Sequence, residues 1–368
     1  MTAEILIVSL ITFVSALVLH FAQRRLRARS GWKITAGLII LKLLICIVLA
    51  YFQVVSNSML TWRVPLLFGG LYIAFLADLI RDVVFLLFGI FRQKKLLMNH
   101  AGLFSIICTV SVLVYSVINM QVIRPHTLTF ASEKLKSEHK FVFLADLHYG
   151  TAQRKESFEK ALHEIKEQEP EFIVLGGDIT DEYTTKEEMQ ELYARFGELD
   201  IPIYFIFGNH DRQDNASLAG GMKYTEEELA ETMLANGITI VKDDYVRLAD
   251  DLILLGREDP SRPEERLSPN DLPALPGEGY LICIEHTPYQ PEDILAQNAD
   301  LQLSGHTHDG QYFPLHTVYA LLGLYVKGYY RVGNTDLYVS PGIAGWAIPT
   351  RTESHCSYEV VTLHPKVR

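Results

Sequence analysis

Phe141-Val142-Phe143-Leu144-Ala145-Asp146-Leu147-His148 decides how this chain is read: an apolar run of strand length ends in an acid and, one residue on, an imidazole. The pattern recurs along the second half. Phe172 to Leu175 leads into Gly176-Gly177-Asp178, with Asp181 three residues further, and Ile203 to Phe207 leads into Gly208-Asn209-His210-Asp211. Leu281 to Ile284 is followed by His286-Thr287-Pro288, and Leu301 to Ser304 by Gly305-His306-Thr307-His308. Polar helix-like stretches, Ser157 to Glu169 and Lys186 to Phe196, separate the first three runs, which is the βαβ alternation of a layered α/β domain. Further strands at Leu252 to Leu255, Leu337 to Ser340 and Tyr358 to Leu363 follow with fewer helices, so two packed sheets are expected. Asp259 to Gly279 is rich in Pro and charge and reads as an exposed loop.

Active sites of layered α/β domains gather at the carboxyl ends of strands. A lone His is more often structural than a ligand, but here five successive strand ends each deliver Asp, Asn or His. A mixed carboxylate and imidazole set without thiolate suits Mn²⁺, Fe or Zn²⁺. Asp146 and His148 can reach one ion from an irregular strand end, and Asp178, with two oxygens, can bridge two. Glycines beside Asp178, Asn209 and His306 let the backbone turn sharply and approach closely. The four cysteines, Cys46, Cys108, Cys283 and Cys356, have neither CxxC nor zinc-ligand spacing and read as buried thiols.

This order of motifs, from Phe141 to about Gly345, resembles the calcineurin-like metallophosphoesterase superfamily, whose fold is an αββα sandwich of two packed β-sheets flanked by helices. The resemblance implies a two-metal hydrolase of phosphoesters. One ion would be held by Asp146, His148, Asp178 and His308, the other by Asp178, Asn209, His286 and His306. His210 matches the leaving-group acid and Asp181 the carboxylate that orients it. Two cations about 3.5–4 Å apart would generate hydroxide for in-line attack and clamp the phosphoryl oxygens. Within the superfamily, Gly305 to Gln311, Arg331 to Asn334 and Leu337 to Gly342 look most like the membrane-associated bacterial phosphoesterase group. Asp309 stands where that group has a second glycine, and Ser354 to Tyr358 departs from its Pro-rich ending. Relatives of the group act on lipid-linked or nucleotide-linked phosphoesters, so a phospholipid or a UDP-diacylglucosamine-type substrate is implied.

Met1 to Ile123 has a different composition. It carries eleven Lys/Arg against three acids, a net +8, which leaves −19 of the chain's −11 to the remainder. So acidic a second half lacks the basic footprint of a nucleic-acid binder. Four apolar stretches, at about 5–21, 34–52, 64–91 and 101–123, are long enough to cross a bilayer of about 30 Å. The first is preceded by Glu4 and followed by an Arg cluster, the reverse of a cleaved signal peptide. Basic residues concentrate after the first stretch (Arg24, Arg25, Arg27, Arg29, Lys33) and after the third (Arg92, Lys94, Lys95). Those loops are expected to be cytoplasmic, which places the catalytic half outside. Residues 124–140 read as a polar linker and 141–368 as the catalytic domain. Lys42, Asp78, Arg81 and Asp82 read as an interhelical ion-pair cluster; an ion path or a membrane sensor using the metal domain as a binding module is the alternative. Phe313 to Tyr325 is unusually apolar for a loop leaving a metal motif, and reads either as a membrane lip or as a core-packing helix.

Overall fold

The computed structural model describes residues 111–288, 291–346 and 349–366. The expected spans at 5–21, 34–52 and 64–91, residues 101–110 of the fourth, Cys46, Cys108 and the charged cluster at Lys42, Asp78, Arg81 and Asp82 lie outside them. Among the described residues no helix is long and apolar enough to cross a membrane. Two units divide the chain between Ser116 and Val117.

The second unit is an αββα sandwich. Twelve strands form two mixed six-stranded sheets. The first sheet has the order β1 (Ile123–Ser132), β12 (Cys356–Pro365), β2 (His139–Leu144), β3 (Phe172–Leu175), β4 (Ile203–Phe205) and β5 (Ile238–Ile240). The second has β10 (Gly328–Val332), β11 (Thr335–Val339), β9 (Leu301–Ser304), β8 (Tyr280–Ile284), β7 (Leu252–Gly256) and β6 (Asp244–Ala249).

Because side chains alternate across a strand, a strand buried on both faces can be apolar throughout and still feed two cores. Phe141 and Phe143 of β2 and Phe172 and Val174 of β3 turn into the space between the sheets, where they meet Leu252, Leu254, Ile282, Ile284, Leu301 and Leu303. The Phe141 and Phe172 rings stack there at 4.8 Å. The alternate residues Val142, Leu144, Ile173 and Leu175 face the outer helices α1 (Lys155–Glu167), α2 (Lys186–Gly197) and α3 (Glu226–Ala235), through Phe158, Leu162, Met189, Leu192, Phe196, Leu229 and Met233. Two shorter helices, α4 (Pro291–Ala296) and α5 (Leu315–Leu321), follow β8 and β9 in the chain. Thr185 and Thr225 start α2 and α3 with capping boxes, each Thr accepting from the backbone three residues on while Glu188 or Glu228 reaches back.

Two expectations change at the domain's entrance. Residues 124–140, read as a linker, carry β1, which pairs in parallel with β12 along its whole length. Being an edge strand it tolerates Pro125 and a polar outer face, which is why its sequence resembles a linker. The fourth apolar stretch, extended to Ile123 on hydropathy, gives its last residues to the domain. Met120 is fully buried beside Ala152 and Cys356, and Asn119 Nδ2 donates to the carbonyls of Arg351, Glu353 and Ser354. The Asp259 to Gly279 stretch is a loop between β7 and β8, as expected. Cys283 and Cys356 are buried free thiols.

Candidate metal centre

β2, β3, β8 and β9 deliver their terminal residues to one place. Asp146, His148 and His308 bring one ligand atom each within 4.8 Å of one another, and Asp178, His286 and His306 form a second such group. Asp178 lies between them: its Oδ2 is 3.0 Å from His286 Nε2 and 3.8 Å from His148 Nε2. Asn209 joins the second group, its Oδ1 2.9 Å from His306 Nδ1. The structure thus brings together all seven residues singled out as ligands.

The backbone bends hard to achieve this. Asp146, His148, Asp178, His306 and His308 all have positive φ, between 43° and 71°. For a non-glycine residue that conformation costs on the order of 1 kcal/mol, and such residues concentrate at functional sites. Two glycines serve by lacking a side chain. A Cβ on Gly208 would stand 2.2 Å from Asp178 Oδ1, and one on Gly305 would stand 2.4 Å from Asp146 Oδ2.

The donor set fits divalent cations on its own geometry. His148 and His308 face each other nitrogen to nitrogen at 3.2 Å, and no two neutral imidazole lone pairs rest comfortably at that distance. His286 Nδ1 is committed to the Gly176 carbonyl at 2.8 Å, which turns its Nε2 to Asp178 Oδ2, 3.0 Å away. His308 Nδ1 is turned to the Ala344 carbonyl at 3.3 Å, and His148 Nδ1 lies 3.3 Å from Asp181 Oδ2. Each ring thus presents its other nitrogen to the centre, the usual arrangement of a metal-ligating His held from behind.

Electrostatics point the same way. Burial, reinforced by neighbouring His148, pushes the His308 imidazole well below its ordinary range, and burial with the His286 charge lowers His306 to about 4. Both are therefore neutral and able to donate a lone pair. Burial pushes Asp178 upward, but the charges of His286 and His210 outweigh it and hold the carboxyl well below the usual range. Burial also dominates at Asp146 and, with the Asp178 charge, raises it to about 6. Bound dications would relieve both the repulsion between imidazoles and that between carboxylates.

Around the centre the structure adds residues that the motif reading missed. His210 Nδ1 is bonded to Glu182, at 2.7 and 2.9 Å from its two oxygens, not to Asp181. Asp181, expected to orient His210, instead accepts from Thr151 Oγ1 and backs His148. Burial lowers the His210 pKa, but the Asp178 charge and the Glu182 contact overcome it and bring it to about 9. Trp346 lies against the other side of His210, ring centroids 5.3 Å apart. Asp211 accepts from the backbone N–H groups of Asp178, Ile179 and Gly208 at 2.7–2.8 Å, which locks the two loops that carry Asp178 and Asn209. Arg351, buried, donates to the carbonyls of His308, Pro341 and Ala344. The signal for Glu182 was the acid directly after Asp181. For Arg351 there was none, since its partners are backbone atoms.

Residues 139–310 match the calcineurin-like phosphoesterase family. The chain is 28% identical over 238 residues to a transmembrane protein with metallophosphoesterase domain from Danio rerio, covering 61% of this chain and 53% of that protein. It is 27% identical over 240 residues to an uncharacterized metallophosphoesterase of Helicobacter pylori (64% and 62% covered), and 28% identical over 198 residues to phosphodiesterase YaeI of Escherichia coli (50% and 66%). The chain thus spans between half and two thirds of the length of the first two relatives. The family match falls on the strand ends that build both clusters, and over residues 139–310 the chain is similar to the calcineurin-like phosphoesterases.

Proposed function

We propose that the chain is a membrane-anchored phosphodiesterase acting on a lipid or cell-envelope phosphoester, with two divalent ions, Mn²⁺, Fe or Zn²⁺, in the paired clusters. The observation that carries the reading is the pair of adjacent Asp/His groups, with Asp178 of one reaching to 3.8 Å from His148 of the other and a partly buried His210–Glu182 pair beside them. Asp146, His148, Asp178 and His308 would hold one ion, and Asp178, Asn209, His286 and His306 the other. When bound, such ions supply a nucleophile at neutral pH and neutralise the charge that builds at phosphorus.

The protein's own residues account for the rest. His210 carries the proton for the departing alkoxide. With Nδ1 occupied by Glu182, the proton it releases is the one on Nε2, and Glu182 keeps the ring in that tautomer and orientation. Asp181 performs the same service for His148, so two adjacent carboxylates serve two different imidazoles. Asp211 and Arg351 hold the loops rigid, which limits the reorganisation needed as charge develops.

The diester reading is supported by the relative named a phosphodiesterase, and the membrane anchor by the relatives named transmembrane proteins together with the four apolar stretches between residues 5 and 123. The distribution of Lys and Arg favours an extracytoplasmic domain. The test is to compare an aryl phosphodiester with the matching monoester on the Mn²⁺-loaded full chain, with a topology reporter fused after Arg368. Preferential diester hydrolysis and an external reporter are expected. Monoester preference would remove the diester assignment, and a cytoplasmic reporter would favour a UDP-diacylglucosamine-type substrate.

A further inference from the structure

We infer that residues 313–324 form a lip that sits in the headgroup–acyl boundary of a lipid bilayer and presents lipid-borne phosphoesters to the metal centre. This deepens the reading above and rests on it. The lip is built around α5, which turns its apolar side outward. Only Leu315 of that helix is buried. Val318, Leu321 and Leu322 fall at i, i+3 and i+4, on one face, and are exposed, Leu321 to 83% and Leu322 to 71%. Phe313 and Leu324 on either side are more than half exposed. A helix at a water-facing surface carries polar residues on that face, and a contiguous apolar patch marks an interaction site. From Phe313 to Tyr325 there is no Asp, Glu, Lys or Arg to resist burial in lipid.

The lip is fastened to the metal centre. Asp309, next to His308, is buried and bonded to His316 Nδ1 on α5, and its other oxygen lies 3.7 Å from Lys327 Nζ just beyond the lip. One carboxylate therefore ties down both ends of the segment beside a residue of the first cluster. The acid that replaces the expected glycine thus has a structural use.

What covers the lip follows from where the chain enters the domain. Asn119, among the last residues of the fourth apolar stretch, donates to the carbonyls of residues 351, 353 and 354. The same short segment grips the base of the lip: Thr352 Oγ1 accepts from Phe313 N at 2.8 Å, Thr352 N donates to Gln311 O at 2.9 Å, and Ser354 N donates to Asp309 Oδ2 at 3.1 Å. On the membrane-anchored reading above, the chain enters the domain, at Asn119, within one hydrogen-bonded loop of an uncharged apolar rim. The bilayer that anchors the chain is the partner of matching chemistry at that end.

The test uses the full chain in nanodiscs of phosphatidylethanolamine and phosphatidylglycerol, with and without acyl chains brominated just below the carbonyls. Tryptophan emission is read as the increment over the parent chain for Leu321→Trp, for Leu322→Trp, and for Leu234→Trp, an exposed apolar position on α3. The lip reading expects the increment at 321 and 322 to fall roughly twofold or more in brominated bilayers and the increment at 234 to stay unchanged. No quenching at 321 and 322, equal quenching at all three positions, or a blue shift that depends on protein concentration and so reports a second copy, each overturns it. Aryl phosphodiester turnover by the parent chain in the same discs separates the two readings. Turnover without quenching removes the lip alone; absence of Mn²⁺-dependent turnover removes the proposed function whatever the quenching.

Discussion

Two adjacent carboxylates, Asp181 and Glu182, stand between two imidazoles, and which pairs with which decides their roles. Glu182 holds His210 and Asp181 backs His148. A hydrogen bond to a charged partner is worth about 1.5–3 kcal/mol. Glu182→Gln should therefore lower kcat on an aryl phosphodiester by roughly 10- to 100-fold while metal affinity stays near that of the parent. Asp181→Asn should instead weaken metal binding by roughly 10- to 100-fold, with kcat largely recovered at saturating Mn²⁺. Metal titrations and kcat for the two variants check this, and the reverse pattern would restore Asp181 as the partner of His210. The ligand-type residues were legible because each follows an apolar run and is of a metal-binding type. The pairing was not, because the sequence of a loop does not state to which side each of two consecutive acids turns.

Elements buried on both faces were the most legible. β3 and β9 coincide with the apolar runs read from the sequence, and β2, β4, β7 and β8 differ from theirs only by a residue or two at an end. β1, β5, β6 and β10 escaped notice because they are short, half-exposed or at sheet edges, where polar residues are allowed and no apolar alternation survives. His139, at the start of β2, shows how the two sheets are clamped: its ring lies 2.9 Å from both Glu171 and Asp251, the latter just before β7. Burial lowers the His139 pKa, but the two carboxylates outweigh it and carry it above 6.5, while Asp251 is held below 3.8 by hydrogen bonds that overcome its own burial. The histidine's contribution is complete below its unfolded value and disappears as pH rises through the folded one. That of Asp251 is present above its unfolded value and disappears as pH falls through the folded one. The clamp is thus strongest in mildly acidic solution. His139→Ala should lower Tm by about 2–4 °C more at about pH 5.5 than at about pH 8.5. Thermal denaturation at the two values measures the difference, and an equal loss at both would show that packing alone is at stake.

For the whole molecule, the acidic second half and the apolar first half were plain in composition, but the joint between them was not. Hydropathy runs on to Ile123, whereas the compact unit begins at Val117 and consumes Asn119 and Met120 internally. Removing a buried Met side chain costs about 2–5 kcal/mol. A chain starting at Val117 should therefore fold and retain metal-dependent hydrolysis of a soluble ester, whereas one starting at Arg124 should melt about 10 °C lower. Circular dichroism melts of the two truncations decide it, and equal stability would return residues 117–123 to the apolar stretch. The account as a whole stands on two ions shared through Asp178. The measurement that tests it most directly is to count Mn²⁺ bound to the purified full chain and follow aryl phosphodiester hydrolysis, for the parent and for Asp178→Asn. The account predicts about two ions per chain, turnover abolished by chelator, and a loss of roughly 10³-fold or more in the variant. Turnover that survives in Asp178→Asn, or a parent chain that binds no metal, would contradict it.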